Sequence, residues 1–336
     1  MAKPTFTESI GVVAPTSTEL STGARVIKFV ADRGIIAFTV ILIVYAAIFV
    51  NGFASLPNIS DVFYRAAPIG IVALGMTFVV ISANYLDLSV VAQVATSAVI
   101  FIGVSNQAGL APAILLALLV AVIYGVVNGV AVGFFHANAV IVTLATTFVG
   151  LGVLRWLSGG SIFFGPNGGV IQSLGQAKVG PIPLSAIVLI VMAVILGFVL
   201  QKTTFGFSIR SYGSNKAATR LAGVRTGQLV VGAFLITSIS AMVAGFVLAA
   251  FSNTAVSSMA EGYDFQALAA IIIGGTSVFG GKGSVYRTLL GVVFVSVLTN
   301  ILVLVGLTFG AQQVAIGVLI VVAVSIDAIA RKLVKN

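Results

Sequence analysis

The sequence predicts an all-α, polytopic membrane protein with about ten transmembrane helices. Three observations support this prediction: scarce charge, high hydropathy and long apolar runs. Asp, Glu, Lys and Arg make up only 7% of the 336 residues, whereas soluble domains carry about 25%. Apolar residues account for 59% and the mean hydropathy is +1.20, which is more apolar surface than one soluble core can enclose. Lipid is therefore expected to cover much of the chain.

The apolar runs favour helices over the strands of a membrane barrel. No Asp, Glu, Lys or Arg occurs from Leu88 to Leu154, and this run is long enough for three helical crossings of about 20 residues each. The alternation over about ten residues that marks barrel strands is missing. Division at Gly, Pro, Asn and charged residues predicts the spans. They are 34–54, 65–83, 88–106, 112–134, 139–158, 184–201, 227–250, 265–280, 287–306 and 311–329.

The basic residues predict the orientation of these spans. An even number of crossings places both termini on one side, and fourteen of the seventeen Lys and Arg residues lie in segments on that side. Basic residues are enriched on the cytosolic side of membrane proteins. We therefore expect cytosolic tails at 1–33 and 330–336 around one transmembrane domain at 34–329. Because these residues sit at the ends of apolar runs, the net charge of +9 does not indicate a nucleic-acid partner.

The chain lacks the residue patterns of an enzyme or a metal protein. Cysteine is absent, which excludes disulfides, thiolate metal sites and cysteine nucleophiles. The single histidine, His136, has no acidic or histidine partner nearby in the sequence, so a structural role is expected. No zinc spacing, nucleophile motif or hydrolytic carboxylate pair occurs. We predict no catalysis, no bound metal and no cofactor in this chain.

The long polar connection at about 202–227 contains a short predicted helix. Asn215 is a plausible N-cap and Gly223 a plausible C′ residue. Between them, Ala218, Leu221 and Ala222 fall on one side of the helix, which suits docking into a groove on a partner. The alternative is an ordinary solvated loop whose basic residues hold the membrane orientation.

A glycine-rich segment at 274–284 predicts a tight cytosolic turn. Glycine permits close helix approach and unusual backbone angles. This turn is predicted to contact a partner or to gate the inner mouth, and an ordinary helix hairpin is the alternative. Its residues are Gly274, Gly275, Gly280, Gly281, Lys282 and Gly283.

The Gly281-Lys282 pair invites comparison with the phosphate-binding loop G-x-x-x-x-G-K-[ST]. The match fails, because Thr276 occupies the first glycine position and Gly283 occupies the hydroxyl position. A membrane helix precedes the segment where the motif requires a strand. We therefore expect that this chain does not bind ATP.

A second turn is predicted in the first half of the chain, around Asp87 and Ser89. A carboxylate at membrane depth costs about 2.5–3.5 kcal/mol on insertion scales, so such residues raise a functional hypothesis. The simpler interpretation is that Asp87 is the N-cap of the helix that follows.

Several segments resemble ABC importer permeases of the ribose, xylose, arabinose and galactose type. The resemblance is carried by 204–224, 261–270, the glycine segment 274–284 and the Asp-Leu-Ser-Val element at 87–90. Relatives often carry acids at the positions of Lys216, Ala217 and Gln266, which bears on partner choice and specificity.

The resemblance implies a type II ABC importer-like permease in a bacterial-type inner membrane. The 204–224 loop would then be the coupling helix on an ABC ATPase subunit, and ATP and Mg²⁺ would act in that partner. A second permease subunit, identical or different, and an extracytoplasmic sugar-binding protein are the other expected partners. The implied coupling residues are Asn215, Ala218, Arg220, Leu221 and Gly223.

A neutral sugar presents hydroxyl groups, so its pathway should offer amides, hydroxyls and aromatic faces. Each candidate equally suits a hydrogen bond between helices, the commoner use of Asn and Gln in membranes. Gly125, Gly129 and Gly133 recur every fourth residue and predict close packing near Asn128. The candidates are Asn128, Asn138, Thr143, Trp156, Asn253, Gln266, Asn300, Gln312 and Gln313.

Two further classes of transporter remain as alternatives. Branched-chain amino acid, nucleoside and urea permeases share the expected architecture. An amino acid would call for a positive charge at mid-membrane, for which Arg155 is the only candidate. An ion-coupled secondary transporter would call for buried acids, and beyond Asp87 and Asp327 the predicted spans offer almost none.

Overall fold

The computed structural model describes residues 22–82, 86–180 and 182–335, and the side chains of 34–82, 86–180 and 182–325. Most of the described chain is helical. The helices are α1 (Thr22–Phe49), α2 (Leu56–Ile81), α3 (Val90–Ala108), α4 (Leu110–Gly133), α5 (Ala139–Ser158), α6 (Val170–Gln176), α7 (Leu184–Lys202), α8 (Thr204–Ser214), α9 (Lys216–Leu221), α10 (Thr226–Ser252), α11 (Tyr263–Ile273), α12 (Val285–Leu304) and α13 (Phe309–Lys335). The strands are β1 (Phe163–Phe164), β2 (Lys178–Val179), β3 (Ile182–Pro183) and β4 (Thr254–Ala255).

The all-α architecture is confirmed, but the count of about ten membrane spans is not. In the part of the chain that the structure describes, seven helices are long and apolar enough to cross a membrane. These are α2, α3, α4, α5, α7, α10 and α12. Each overlaps a predicted span, so hydropathy located these elements correctly.

The predicted span 265–280 differs most from the structure. Its helix, α11, has only 11 residues and ends at Ile273. Gly274 follows, and Gly275 has φ +81°, a conformation that a helix does not continue through. Residues 274–284 therefore form a non-helical turn after this short helix.

The predicted tails also differ from the observed helix ends. Helix α1 begins at Thr22, within the segment assigned to the N-terminal tail, and α13 continues to Lys335. The remainder of the N-terminal tail and the side chain of Asp327 lie outside the described residues.

Helix α2 forms the centre of the molecule. Every residue from Ala66 to Ile81 is buried, and α7, α10, α11 and α12 pack around it. Close approach depends on small side chains: a Cβ added at Gly75 would lie 2.5 Å from the Ser240 hydroxyl oxygen. By contrast, α5 exposes Phe148, Trp156 and Leu157. An apolar helix that buries so little of itself in protein is suited to contact with lipid.

The glycine spacing on α4 packs as the sequence predicts. Added Cβ atoms at Gly125 and Gly129 would lie 2.8 and 2.6 Å from the Cα atoms of Leu235 and Val231 on α10. At Gly133 a Cβ would lie 2.8 Å from the carbonyl oxygen of Gly227. The three glycines therefore let α4 and α10 pack with their backbones in close proximity.

Contacts between the connecting segments divide the helix ends into two sets, here called inner and outer. At the inner ends, the Gly281 amide donates to the Ile81 carbonyl oxygen at 2.9 Å. At the outer ends, β1 pairs antiparallel with β4, and the Asn106 amide donates to the Phe164 carbonyl oxygen at 2.9 Å. Strand β2 pairs with β3 in the same outer connection. Successive connections alternate between the two sets, as successive crossings require.

Candidate functional site

The predicted short helix in the 202–227 connection is present as α9. The Asn215 side-chain oxygen accepts a hydrogen bond from the Ala218 amide at 3.0 Å, which is N-cap geometry. At the other end Gly223 has φ +79°, as expected for a C′ glycine. Helix α8 precedes it directly, so α8 and α9 form a continuous projection at the inner end of the molecule.

The apolar side of this projection faces away from the protein. Leu221 is 89% exposed and Phe207 is 74% exposed. Ala218 and Arg220 are exposed as well, whereas Thr219 is the buried side chain of α9. Lys202 and Arg225 add exposed positive charge at the two ends of the segment. The exposed surface of α8 and α9, with Leu221 and Phe207 as its large apolar side chains, is here called the projecting tip.

The base of the projection touches two other inner segments through backbone atoms. A Cβ added at Gly213 of α8 would collide with the Ile81 carbonyl oxygen and lie 2.5 Å from the Gly281 amide nitrogen. Ile81 ends the central helix α2, and Gly281 lies in the glycine turn. The three segments meet at one point, here called the inner junction.

The glycine turn is closed by its own hydrogen bonds. The Ser277 amide donates to the Lys282 carbonyl oxygen at 2.9 Å. Gly280 and Gly281 have φ values of +82° and +76°, which glycine adopts without steric cost. Gly283 packs on the junction, because an added Cβ would lie 2.7 Å from Ile81 Cδ1. Lys282 is exposed.

The start of the turn packs against the following helix. A Cβ added at Gly274 would collide with the Arg287 carbonyl oxygen on α12, and one at Gly275 would lie 3.6 Å from an Arg287 guanidinium nitrogen. All five predicted glycines thus lie in one tightly packed inner turn.

Asp87 and Ser89 belong to a buried polar cluster, here defined as Asp87, Ser89, Gln93 and Asn128. All four are at most 1% exposed. The Ser89 hydroxyl donates to Asp87 Oδ1, and the Gln93 and Asn128 amide groups donate to the Ser89 hydroxyl oxygen at 2.6 and 2.8 Å. The cluster joins the connection 82–89 to α3 and α4.

The N-cap interpretation of Asp87 is wrong. Helix α3 begins at Val90 with Ser89 as its N-cap residue, and Ser89 makes no side-chain capping bond. Asp87 instead accepts from the amide of Ser89 at 3.0 Å, a local turn two residues ahead of the helix. The turn geometry and the buried cluster together define its position.

The predicted pathway residues are spread over the molecule. Asn138 caps α5 by accepting from the Val140 amide at 2.9 Å. Thr143 donates to the Ala139 carbonyl oxygen at 2.8 Å. Trp156 is 81% exposed on the outer half of α5. These three residues therefore do not join the buried cluster that contains Asn128.

The remaining pathway candidates lie toward the outer ends or on short helices. Asn253 donates to the Gly165 carbonyl oxygen at 3.0 Å, and Gln312 donates to the Leu307 carbonyl oxygen at 2.8 Å. Gln266 is buried on α11. Gln313 packs beside Gly262, where an added Cβ would collide with its side-chain nitrogen.

Asn300 forms a reciprocal amide pair with Asn58. Each side chain donates to the oxygen of the other, at 3.0 and 2.8 Å. The two residues are 242 positions apart, so single-sequence patterns give no signal for this pair. Gln93 was also missed, although its spacing of four from Ser89 on a helix was a usable signal.

The described residues contain no group of three or more His, Cys, Asp or Glu side chains placed to hold a metal ion. The Gly281 amide, which a phosphate-binding loop would leave open, is already hydrogen-bonded to Ile81. The candidate site therefore consists of the projecting tip, the inner junction and the buried polar cluster.

Comparison with known proteins gives consistent matches. Residues 58–324 match the family model described as branched-chain amino acid transport system / permease component. The ribose import permease protein RbsC of Haemophilus influenzae is 30% identical, covering 89% of this chain and 94% of its own. The probable ABC transporter permease protein YphD of Escherichia coli is 33% identical, covering 92% and 93%.

A third relative is named for a different cargo. The autoinducer 2 import system permease protein LsrC of Salmonella paratyphi B is 30% identical, covering 84% of this chain and 82% of its own. No solved structure matches the chain. The matches extend over nearly the whole described molecule rather than over one motif.

Proposed function

The chain belongs to the family of branched-chain amino acid transport system permease components and is a permease of the ABC import type, and from this premise we propose that it carries a monosaccharide or related polyol. The resemblance seen in the sequence is confirmed by these matches. The observation that carries the proposal is the projecting tip, where the apolar side chains of Leu221 and Phe207 are 89% and 74% exposed.

The projecting tip is suited to an ATPase subunit. Leu221 and Phe207 would be costly to leave in water on an otherwise polar connection. A large exposed apolar side chain at the centre of a polar rim is the usual anchor of a protein interface. The coupling residues Asn215 and Gly223 fix the ends of α9, while Ala218, Arg220 and Leu221 form the contact.

The inner junction gives the ATPase a mechanical route to the centre of the fold. Movement of α9 displaces α8, which contacts the end of α2 and the glycine turn through Gly213. These are backbone contacts without intervening flexible side chains. A close-packed junction transmits displacement because it has little room to deform. Helix α2, buried along most of its length, then moves relative to its neighbours.

ATP and Mg²⁺ are assigned to the ATPase partner. The glycine turn of this chain lacks the Walker sequence. Its Gly281 amide donates to the Ile81 carbonyl oxygen, and the Ser277 amide donates to the Lys282 carbonyl oxygen. A turn whose amides are already bonded within the protein has few left to bind phosphate.

A neutral cargo fits the polar groups better than a charged one. Arg155, the only candidate counter-charge for an amino acid, lies in the last turn of α5 and is exposed at the outer end. Relatives named for ribose and autoinducer 2 import cover most of the chain. Branched-chain amino acid, nucleoside and urea carriers remain the second candidates, favoured by the family description alone.

The proposed assembly contains two permease subunits, identical or different, with two ATPase subunits at the inner ends. An extracytoplasmic sugar-binding protein delivers cargo at the outer ends. The inner ends carry the basic segments, so they face the cytosol of a bacterial-type inner membrane with both termini inside. Lipid contacts α4, α5 and α7, whose apolar side chains are exposed.

The test is uptake of radioactive ribose into proteoliposomes that contain the permease, its ATPase and its binding protein. ATP is supplied inside or outside the liposomes, on the side that the ATPase subunits face. We expect uptake only when ATP and the binding protein are both present. Liposomes with the permease alone are the control. Uptake by the permease alone, driven by a proton or sodium gradient, would contradict the proposal and favour a secondary transporter.

A further inference from the structure

The buried polar cluster has more hydrogen-bond acceptors than donors. Ser89 gives its one hydroxyl proton to Asp87 and receives protons from Gln93 and Asn128. Three oxygen atoms then remain without a hydrogen-bond partner among the described residues. They are Asp87 Oδ2, Gln93 Oε1 and Asn128 Oδ1. Buried oxygens without partners are rare because each costs about 1–3 kcal/mol.

The carboxyl group of Asp87 has no positively charged partner among the residues that the structure describes. Asp87 is fully buried, and it forms no ion pair with the residues that the structure describes. The described ion pair of Arg65 with Asp61 lies at the exposed start of α2. A buried carboxylate needs a counter-charge or strong hydrogen bonds to offset its lost hydration. The two hydrogen bonds from Ser89 go to a single carboxylate oxygen.

We propose that Asp87 Oδ2, Gln93 Oε1 and Asn128 Oδ1 bind a monovalent metal cation of the size of Na⁺. Carboxylate and amide oxygens are hard ligands of the kind that bind hard cations. One carboxylate with two neutral amide oxygens balances a single positive charge. A divalent ion beside a single carboxylate would keep one uncompensated positive charge, and Ca²⁺ takes six to eight oxygen ligands. A water molecule would supply two protons and leave the charge of Asp87 uncompensated.

The position of the cluster explains what the cation does. Asp87 lies in the connection between α2 and α3, Gln93 lies on α3, and Asn128 lies on α4. A cation bound to all three side chains fastens the non-helical connection to two helices.

Helix α5 reaches the same connection. The Thr147 hydroxyl donates to the Leu88 carbonyl oxygen at 3.0 Å. Irregular backbone between membrane helices is a place where transporters bind small cations. The cation therefore fixes the described part of this connection, 86–89, to α3 and α4.

The test compares sodium with choline at constant ionic strength, using the full chain purified in lipid nanodiscs. We expect the thermal unfolding midpoint to rise by several degrees as Na⁺ replaces choline, because a ligand that binds only the folded state stabilises it. Asp87→Asn should remove this rise. The matched control, Asp61→Asn, removes the same charge from the exposed pair with Arg65 and should keep it.

Binding of radioactive sodium to the unmodified chain gives a second readout that needs no variant. We expect saturable binding that is lost in Asn128→Leu if Asp87→Asn fails to fold. Equal midpoints in sodium and choline would overturn the proposal. A sodium effect that survives in Asp87→Asn would overturn it too. A midpoint that follows pH but not the cation would show that a proton on Asp87 neutralises the cluster instead.

Discussion

The amide of Gly281 donates a hydrogen bond to the carbonyl oxygen of Ile81 at 2.9 Å, and this bond joins the glycine turn to the end of the central helix. The two residues are 200 positions apart in the chain. Gly283 packs against the side chain of Ile81, and Gly213 of α8 packs against the carbonyl group of Ile81. One residue of α2 is therefore in contact with both inner segments that the sequence marked as functional.

Substitutions of two residues in contact at the inner junction, Gly283 and Ile81, test its role. Gly283→Ala places a methyl group 2.7 Å from Ile81 Cδ1 and Cγ1. We expect a loss of stability of about 1–3 kcal/mol from overpacking, together with reduced ATP-driven uptake. Ile81→Ala removes both carbon atoms, so the double variant should recover part of both losses. Thermal unfolding and proteoliposome uptake are measured for the unmodified protein, the two single variants and the double variant, which together form a double-mutant cycle.

Additive losses in that cycle would contradict a direct contact between Gly283 and Ile81. Recovered stability without recovered uptake would show that the junction supports folding but does not transmit movement. Ile81→Ala alone is expected to cost about 2–5 kcal/mol, since it leaves a cavity in the core.

The projecting tip predicts a specific loss of ATPase binding. Leu221→Glu places a charge in the proposed apolar contact, where a buried charge without a partner is costly. We expect loss of co-purification with the ATPase and loss of cargo-stimulated ATP hydrolysis. Leu221 is 89% exposed, so the permease itself should fold normally.

Leu307→Glu is the matched control for the projecting tip, because Leu307 is exposed in the outer connection after α12. It should leave ATPase binding unchanged. Equal losses in the two variants would point to a general effect of the added charge on membrane insertion. Normal ATPase binding by Leu221→Glu would exclude this surface as the coupling contact.

The close packing of α4 on α10 predicts opposite effects for two glycines. Gly129→Ala would place a methyl group 2.6 Å from the Val231 Cα atom. Relief of this clash requires a shift of the α10 backbone, which costs more free energy than a side-chain rotation. We expect destabilisation by about 1–3 kcal/mol. Gly152→Ala on α5 meets nothing within 4 Å and should be neutral or stabilising by up to about 1 kcal/mol. The measurement is the thermal unfolding midpoint of each alanine variant and of the unmodified protein, all in the same detergent.

Similar midpoints for the two alanine variants would contradict the packing. They would mean that α4 and α10 separate enough to accept a methyl group. A loss in Gly152→Ala alone would instead indicate that α5 packs on a second protein in the assembly.

Local signals predicted much of this molecule. Apolar runs located the seven long helices, because lipid requires about 20 apolar residues for each crossing. Asn215 and Gly223 predicted both ends of α9, since capping depends on neighbouring residues alone. The spacing of Gly125, Gly129 and Gly133 predicted close packing, because residues four apart lie on one helix face.

Features that depend on distant residues were not predictable. One local signal was also missed: residues 265–280 carry no charge and suggested one long span, but the helix ends at the glycine pair Gly274-Gly275. Asp87 was taken for an N-cap because its cluster is assembled through Ser89, whose hydroxyl oxygen accepts from Gln93 and Asn128 on two different helices. The junction of Ile81 with Gly213 and Gly281 involves backbone atoms, which leave no trace in hydropathy.

The amide pair of Asn58 and Asn300 distinguishes a structural role from contact with cargo. Asn300→Ala removes one hydrogen-bond partner from the half-buried Asn58 amide group, whose nitrogen also donates to the Phe53 carbonyl oxygen at 2.9 Å, and should cost about 0.5–1.5 kcal/mol of unfolding free energy. The double variant Asn58→Ala/Asn300→Ala should lose less than the sum of the single variants, because no amide is then left unpaired. Transport KM should stay the same in all three proteins.

A KM that rises in Asn300→Ala but not in Asn58→Ala would contradict this prediction and place Asn300 in the cargo pathway, as the sequence alone suggests. Gln312→Ala is the control, since its side chain is bonded to the nearby Leu307 carbonyl oxygen on the exposed outer connection.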